Sequence, residues 1–223
     1  MESDGLIVST NYLKKRYSQL NKKIFVVPNA INFNIWDNAK RGKEHKRIRI
    51  GWVGGASHAS DLRLVKNALL RILKEHKNVE VLFHMGGLPE KWMSGPRFRA
   101  FHKWFTINRY PQGFVKYNFD IGIAPLRDTD FNRAKSNLKF LEFGATHTPV
   151  VASCVEPYKE VIQDGINGFL ASEPEEWYER LDYLIRNEKA RKKMGERAYK
   201  FVKKKYNIHR ATKKYIKALR KFL

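Results

Sequence analysis

The chain has 223 residues, 43% of them hydrophobic, with 44 Lys/Arg against 22 Asp/Glu and a formal net charge of +22. That length holds one large domain, or one domain and part of another, and the composition excludes a disordered chain. No apolar run approaches the roughly 20 residues of a membrane-spanning helix, and the single cysteine, Cys154, excludes an internal disulfide or a Cys-rich zinc site.

The first segment, MESDGLIVST, is acidic and lacks a basic n-region before its apolar stretch. A signal peptide is therefore not expected, and a cytoplasmic location is the default. GLIVS (5–9) is a short apolar run, NYLKKRYSQL (11–20) reads as a helix, and IFVV (24–27) as a strand closed by Pro28 and Asn29. Residues 37–46 are polar and read as a loop, and IRIGWV (48–53) is a strand closed by Gly54 and Gly55. Over 60–75, Leu62, Val65, Leu69, Ile72 and Leu73 recur at helical spacing. VEVLFHM (79–85) is a strand ended by Gly86 and Gly87, and 88–118 shows no regular period. FDIGIAPL (119–126) is a strand, 136–146 suit a helix, and TPVVAS (148–153) is a strand. PYKEVIQD (157–164) reads as a short helix, and a last extended piece lies near 168–171. Three helical patterns finish the chain, marked by Trp177, Leu181, Leu184 and Ile185, then Met194, Ala198, Phe201 and Val202, then Ile208, Ala211, Tyr215 and Leu219.

The charge is uneven. Residues 189–223 carry 15 Lys/Arg and one acid, Glu196. A field this positive favours anionic partners: nucleic acid, an acidic membrane surface or a phosphorylated substrate. A solvated helical face is the competing reading of such a run.

Strands alternating with helices predict an α/β fold: a doubly wound parallel sheet, Rossmann-like, with C-terminal helices. Strands that are apolar throughout suit a sheet covered on both faces. In such sheets ligands bind beyond the C-terminal strand ends, so chemistry is expected directly after each apolar run.

Two strand ends stand out. The first is Gly54-Gly55-Ala56-Ser57-His58. Glycines let a ligand approach the backbone, a helix start presents unpaired N–H groups to a phosphate, and Ser57 and His58 add donors. The competing reading is a tight turn with Ser57 or Ser60 as an N-cap. The second is NRAKSNLKFLE (132–142). Ser136 and Asn137 lie where a helix should start. Lys135 precedes that start, Lys139 lies one turn in, and Glu142 falls on nearly the same face. Two cations and a helix N-terminus suit a diphosphate, and the carboxylate suits a ribose diol. The competing reading is an N-cap and a Lys139–Glu142 surface pair.

Other groupings carry less. Ser57, His58 and Asp61 are neighbours at a helix start, which does not give relay geometry. The seven histidines show no HxxxH or HExxH spacing, so no metal is expected. His84, at a strand end, is a candidate for lining a base pocket, or simply a strand-end histidine. Cys154 reads as a small buried residue in PVVASCV.

Taken together, these segments resemble the C-terminal, donor nucleotide-sugar-binding domain of GT-B-fold glycosyltransferases, specifically the large retaining family commonly called family 4 (glycosyl transferases group 1). DGLIVSTNYL followed by IFVVPNAIN is similar to the crossing segment and "VPNG(V/I)D" linker. IRIGWVGGASHASDL is similar to the first strand and phosphate loop of the donor domain. FNRAKSNLKFLEFGATHTPVVAS resembles the Glu-x7-Glu signature with its G-x-PVVAS continuation. YKEVIQDGINGFL resembles the "E-x-I-x-D-G-x-x-G-x-L" passage.

The resemblance implies a division into 1–30, a remnant of the acceptor domain and linker; 31–205, the nucleotide-sugar-binding domain; and 206–223, a basic C-terminal helix. It places the ribose-binding glutamate at Glu142 and diphosphate-contacting amides at Ser136, Asn137 and Leu138. The family's other glutamate falls on Ala134. The Arg…Lys-Gly pair of the family is replaced by Gly54, Gly55, Ser57 and His58, and Lys135 and Lys139 are expected to take its catalytic role. The implied reaction transfers a sugar from a nucleoside diphosphate (UDP or GDP) to a hydroxyl, without a cofactor or metal. An acceptor domain of similar size is expected before the linker, in a longer protein or a separate chain. An anionic acceptor, at an acidic inner-membrane leaflet or on modified DNA, is the partner the charge suggests. The rival is a non-catalytic, basic nucleic-acid-binding protein or partner subunit on a Rossmann-like scaffold.

Overall fold

A computed structural model describes residues 3–55, 58–85, 90–101, 105–106 and 108–222. At its centre are six parallel strands: β3 (Ile48–Gly54), β4 (Val79–Met85), β5 (Phe98–Phe101), β6 (Ile121–Ala124), β7 (Val150–Ser153) and β8 (Phe169–Ala171). Their order is β5-β4-β3-β6-β7-β8. The sheet therefore grows outward in both directions from β3 and β6, and the crevice at their C-terminal ends is the topological switch point where ligands bind in such folds.

Side-chain alternation divides the strand residues between two cores. Ile50, Trp52, Val81, Phe83, Ile121, Ile123, Val151 and Phe169 face one core, with Leu69 and Ile72 of α4 (Lys66–Glu75) and Trp177 and Leu181 of α8 (Pro174–Arg186). Val53, Leu82, Ala124, Val150 and Ala152 face the other. There they meet Phe114 of α5 (Tyr110–Lys116), Phe140 and Phe143 of α7 (Leu138–Ala145), and Ala198 and Val202 of α9 (Glu188–Lys205). The central strands β3, β6 and β7 lose both faces to the interior over most of their length, which is why their runs carry no polar alternation. Full burial of side chains such as Ile50 or Leu69 contributes about 1.5–3 kcal/mol each.

One glycine sets the height of α7 above the sheet. A Cβ at Gly122 would lie 2.6 Å from the Phe143 ring. Its absence lets Phe143 seat directly on β6, and that contact positions the start of α7 at the strand ends.

The N-terminal unit stands apart. β1 (Leu6–Val8) and β2 (Ile24–Val26) form their own two-stranded parallel sheet, joined by α1 (Asn11–Tyr17), whose start is capped by Thr10 Oγ, and a four-residue helix, α2 (Phe33–Trp36), follows β2. The last helix, α10 (Ile208–Leu219), reaches back to this unit: Ile208 N–H donates to Ile31 O, and the Phe222 ring meets Phe25 edge-on at 5.3 Å. Among the described residues no helix is long and apolar enough to cross a membrane.

Several elements differ from the sequence reading. The 60–75 helix is broken into α3 (Ala59–Leu62), a 3-10 turn (Arg63–Val65) and α4. The expected helix at 157–164 is a series of turns instead. Buried Asn167 explains its failure to propagate: its side chain accepts from Gln163 N–H and donates to Val161 O, competing with helical continuation. Conversely, the stretch without a period holds β5 and α5, and a four-residue helix, α6 (Asp130–Arg133), precedes α7.

Candidate active site

The site begins with an open helix start. Thr129 Oγ caps α6 through Asn132 N–H, and α6 ends at Arg133. Asn137 is the N-cap of α7 but makes no side-chain capping bond, and the first bond back to it comes from Leu141 N–H at 3.2 Å. Among the described residues, the N–H groups from Ser136 to Phe140 have no protein acceptor. They carry the partial positive charge of a helix N-terminus. Ser136 Oγ is engaged by Asn29 Nδ2 at 2.8 Å, which ties the β2 exit segment to this loop.

A cavity of about 280 Å³ opens over this start, at the C-terminal ends of β3 and β6. Its wall includes Val53 and Gly54 from β3, His58, Leu126, the loop residues Lys135 and Ser136, Leu138, Lys139 and Glu142 from α7, Tyr110 from α5, and Tyr158. Gly54 is needed there: an added Cβ would lie 2.5 Å from the Trp52 ring and 3.1 Å from Lys139 Nζ. The Lys139 ammonium sits over the Trp52 ring at 5.4 Å, a cation–π contact in a buried setting.

Glu142 is only 7% exposed. Burial pushes its carboxyl above the usual range, against the pull of the Lys139 charge and the Tyr110 hydroxyl beside it. Burial drives Lys139 the other way, below the ordinary lysine value, while Glu142 opposes the shift. Each group is thus poised to be charged by an incoming partner: an anion for Lys139, hydroxyl donors for Glu142.

A second set of contacts centres on Asp61, which is 1% exposed. Oδ2 accepts from His58 Nδ1 at 2.8 Å, and Oδ1 accepts from Arg127 N–H and Asn132 Nδ2, each at 3.0 Å. Lys135 Nζ lies 3.9 Å away. Burial works against the Asp61 charge, but the His58 and Arg127 hydrogen bonds and the Lys135 charge outweigh it and hold the carboxyl low. One carboxylate therefore links the segments after β3 and β6 to the α7 loop.

The structure brings Gly54, His58, Lys135, Ser136, Leu138, Lys139 and Glu142 to one cavity. The Lys139–Glu142 surface pair is not what forms, because both side chains turn to the cavity wall. Gly55 lies at the strand end outside the wall, and among the described residues nothing lies within 4 Å of where its Cβ would be. Asn137 is buried beneath the helix start. Ser57 lies outside the described residues. His84 is elsewhere: it is 1% exposed, its Nδ1 meets the Tyr117 hydroxyl at 2.6 Å, and its ring packs on Phe105. A base-pocket role for it is not supported, because its alternating strand position points it into an aromatic cluster. Cys154, read as buried, is partly exposed and lines a second cavity with Leu126, Arg127 and Trp177.

Asp61, Tyr110, Tyr158 and Asn29 were not singled out for roles here. His58-x-x-Asp61 carried the one available signal, an i,i+3 spacing at a helix start, and the structure does pair the two. Tyr110 comes from the stretch without a period and Tyr158 from the segment read as a short helix, and only folding brings them to the cavity beside Glu142.

Chemically, the site combines two lysines, a helix N-terminus with free N–H groups and a buried carboxylate within one cleft. Such an arrangement has the chemistry to hold a phosphate ester with hydroxyls beyond it.

Residues 138–201 match the family described as glycosyl transferases group 1. A glycosyltransferase of Bacillus subtilis (strain 168), provisionally assigned to teichuronic acid biosynthesis, is 21% identical over 219 residues, covering 89% of this chain and 51% of that protein. The chain thus spans about half the length of this curated relative. Among solved structures, Anabaena Alr3699/HepE in complex with UDP-glucose superposes with a TM-score of 0.77 at 13% identity, covering 98% of this chain and 64% of that one. The C-terminal domain of a glycosyl transferase group 1 family protein from Francisella tularensis gives a TM-score of 0.63 at 18% identity, covering 80% and 99%. The architecture is that of the C-terminal domain of GT-B glycosyltransferases.

Proposed function

We propose that this chain is the donor-binding half of a glycosyltransferase that moves a sugar from a nucleoside diphosphate to a hydroxyl acceptor. The observation that carries the reading is the cavity at the ends of β3 and β6, where the open start of α7, Lys135, Lys139 and Glu142 meet. In this reading the N–H groups of Ser136, Asn137 and Leu138 and the two ammonium groups hold the diphosphate, and Glu142 accepts from the ribose diol. The family match over α7 and the UDP-glucose held by the Anabaena relative support it.

The chemistry follows from where charge develops. As the bond between the sugar carbon and the diphosphate oxygen breaks, negative charge builds on the leaving group. Fixed dipoles and cations aimed at that oxygen stabilise the transition state more than the ground state, so they accelerate transfer and do not merely tighten binding. The basic surface of α9 and α10 supports an anionic acceptor or carrier. On this reading the acceptor site lies outside the six-stranded domain.

Titration calorimetry of the chain with UDP-, GDP- and ADP-sugars tests this. One nucleotide class should bind in the micromolar range and be weakened by substitutions at Lys139 and Glu142. Binding by none of the three would defeat it.

A further inference from the structure

His58 stands in the cavity wall with one ring nitrogen already committed. Its Nδ1 is bonded to Asp61 Oδ2 at 2.8 Å, and Asp61 is locked by Arg127 N–H and Asn132 Nδ2 on its other oxygen. An ionised carboxylate only accepts, so Nδ1 must carry the proton and Nε2 is the nitrogen left for a ligand. A neutral ring in this tautomer offers a lone pair through Nε2, which a phosphate oxygen does not bind.

We propose, resting on the nucleotide-diphosphate reading of this cavity, that His58 and Asp61 form a proton-linked phosphate ligand. The imidazole takes a proton from solvent onto Nε2 as the phosphate enters, donates it in a hydrogen bond to a phosphate oxygen, and returns it on release. Asp61 is the positioning residue that fixes the tautomer and balances the imidazolium.

The charges facing His58 set the direction. Asp61 on α3 favours the charged ring. Lys135, before α7, and Lys139, on α7, disfavour it. Among the described residues, Glu142, Tyr110 and Tyr158 complete the titratable groups of the cavity wall, and Arg127 approaches Asp61 from the segment after β6. The Asp61 hydrogen bond pulls His58 up, but burial with the two lysines outweighs it and leaves the ring below its ordinary value. A diphosphate reverses this balance, because its charge offsets that of the lysines and its oxygen supplies the acceptor at Nε2.

Asp61→Asn separates the ideas. The amide oxygen still accepts from Arg127 N–H, while its NH2 group faces His58, so Nδ1 becomes the acceptor and Nε2 carries the only ring proton. Nitrogen-15 spectra of the His58 ring should be recorded at pH 7 in the full chain, free and saturated with UDP or inorganic pyrophosphate, with affinities measured from pH 6 to 8.5. In the wild type the free ring should be singly protonated at Nδ1 and the bound ring doubly protonated. The affinity should drop as pH rises through the bound-state titration. In Asp61→Asn the bound ring should stay singly protonated, at Nε2, and the His58-linked part of the pH dependence should vanish. Thr129→Ala, which removes the side-chain cap of α6 and so loosens the same loop without touching Asp61 or the cavity wall, should keep the wild-type His58 behaviour.

A bound wild-type ring that remains neutral at pH 7 overturns the proposal, as does a Thr129→Ala variant that behaves like Asp61→Asn. If the wild type binds but His58 does not change, only this proposal falls. If UDP, GDP, ADP and pyrophosphate all fail to bind the wild type, the nucleotide reading falls as well.

Discussion

Lys139 and Glu142 lie three residues apart on α7 and share one cavity wall, and burial drives both toward their neutral forms. Two opposite charges this close would usually be read as a stabilising pair. Here the cost of desolvation is the largest influence on each, and it outweighs their mutual attraction.

The pH sign for Glu142 follows. Its carboxyl titrates above the ordinary 4.5, so the folded chain keeps a proton that the unfolded chain has lost. Its contribution to stability is present below that ordinary value and is lost as pH rises through the raised one. Glu142→Gln removes the titration. It should stabilise the chain at pH 8 by on the order of 1 kcal/mol, or about 2–4 °C in Tm, and change little at pH 4.5. Calorimetric unfolding at both pH values checks this. The same variant should weaken nucleotide binding, the usual conflict between stability and function at a site.

Removing a cation should cost affinity without costing the fold. Lys139→Met keeps the aliphatic stem and deletes the charge. A charge-assisted hydrogen bond contributes about 1.5–3 kcal/mol, so UDP affinity should fall about 10- to 100-fold. Lys135→Met should lose less, because that ammonium is shared with Asp61 at 3.9 Å. Calorimetric titration of both variants, with circular dichroism as a fold control, decides it. Equal affinity in the Lys139 variant would remove that residue from the diphosphate role.

Gly54→Ala tests the closeness of the strand end to the cavity. The new methyl would lie 2.5 Å from the Trp52 ring, which is fully buried and cannot swing away. Overpacking of this kind costs about 1–3 kcal/mol. The variant should therefore unfold at a lower temperature and bind nucleotide more weakly, because Lys139 Nζ must also shift from its 3.1 Å approach.

The basic C-terminal helices should act through charge alone. Replacing Lys213, Lys214 and Lys217 on α10 by Gln should leave UDP affinity within about twofold, since none lines the cavity. Any binding of the chain to acidic vesicles or to DNA should weaken in that variant and fall steeply as salt rises from 50 to about 300 mM. Salt-independent binding would argue against an electrostatic partner surface.

Much of the fold was legible because it rests on periodicity. IRIGWV, FDIGIAPL and TPVVAS read as buried parallel strands, and they pair as β3, β6 and β7 side by side. What failed was local. At 157–164 the apolar spacing resembled a helix, but the side chain of Asn167 takes a backbone bond that a helix needs. At 98–101 an edge strand, FRAF, is too short and too polar to show a period. His84 looked like a strand-end ligand, yet alternation along β4 turns it inward to Tyr117.

The sequence by itself determined the alternation of strands and helices, the open start at Ser136 and the common face of Lys135, Lys139 and Glu142. These depend only on spacing along one segment. Tertiary structure alone decided that Tyr110 would flank Glu142, that Asp61 would bind His58 and reach across to Arg127 and Asn132, and that His84 would lie outside the cavity. Protonation preferences belong to that second group. A side chain's spacing selects the face it occupies, whereas the solvent it loses and the charges it meets depend on which distant segments cover it.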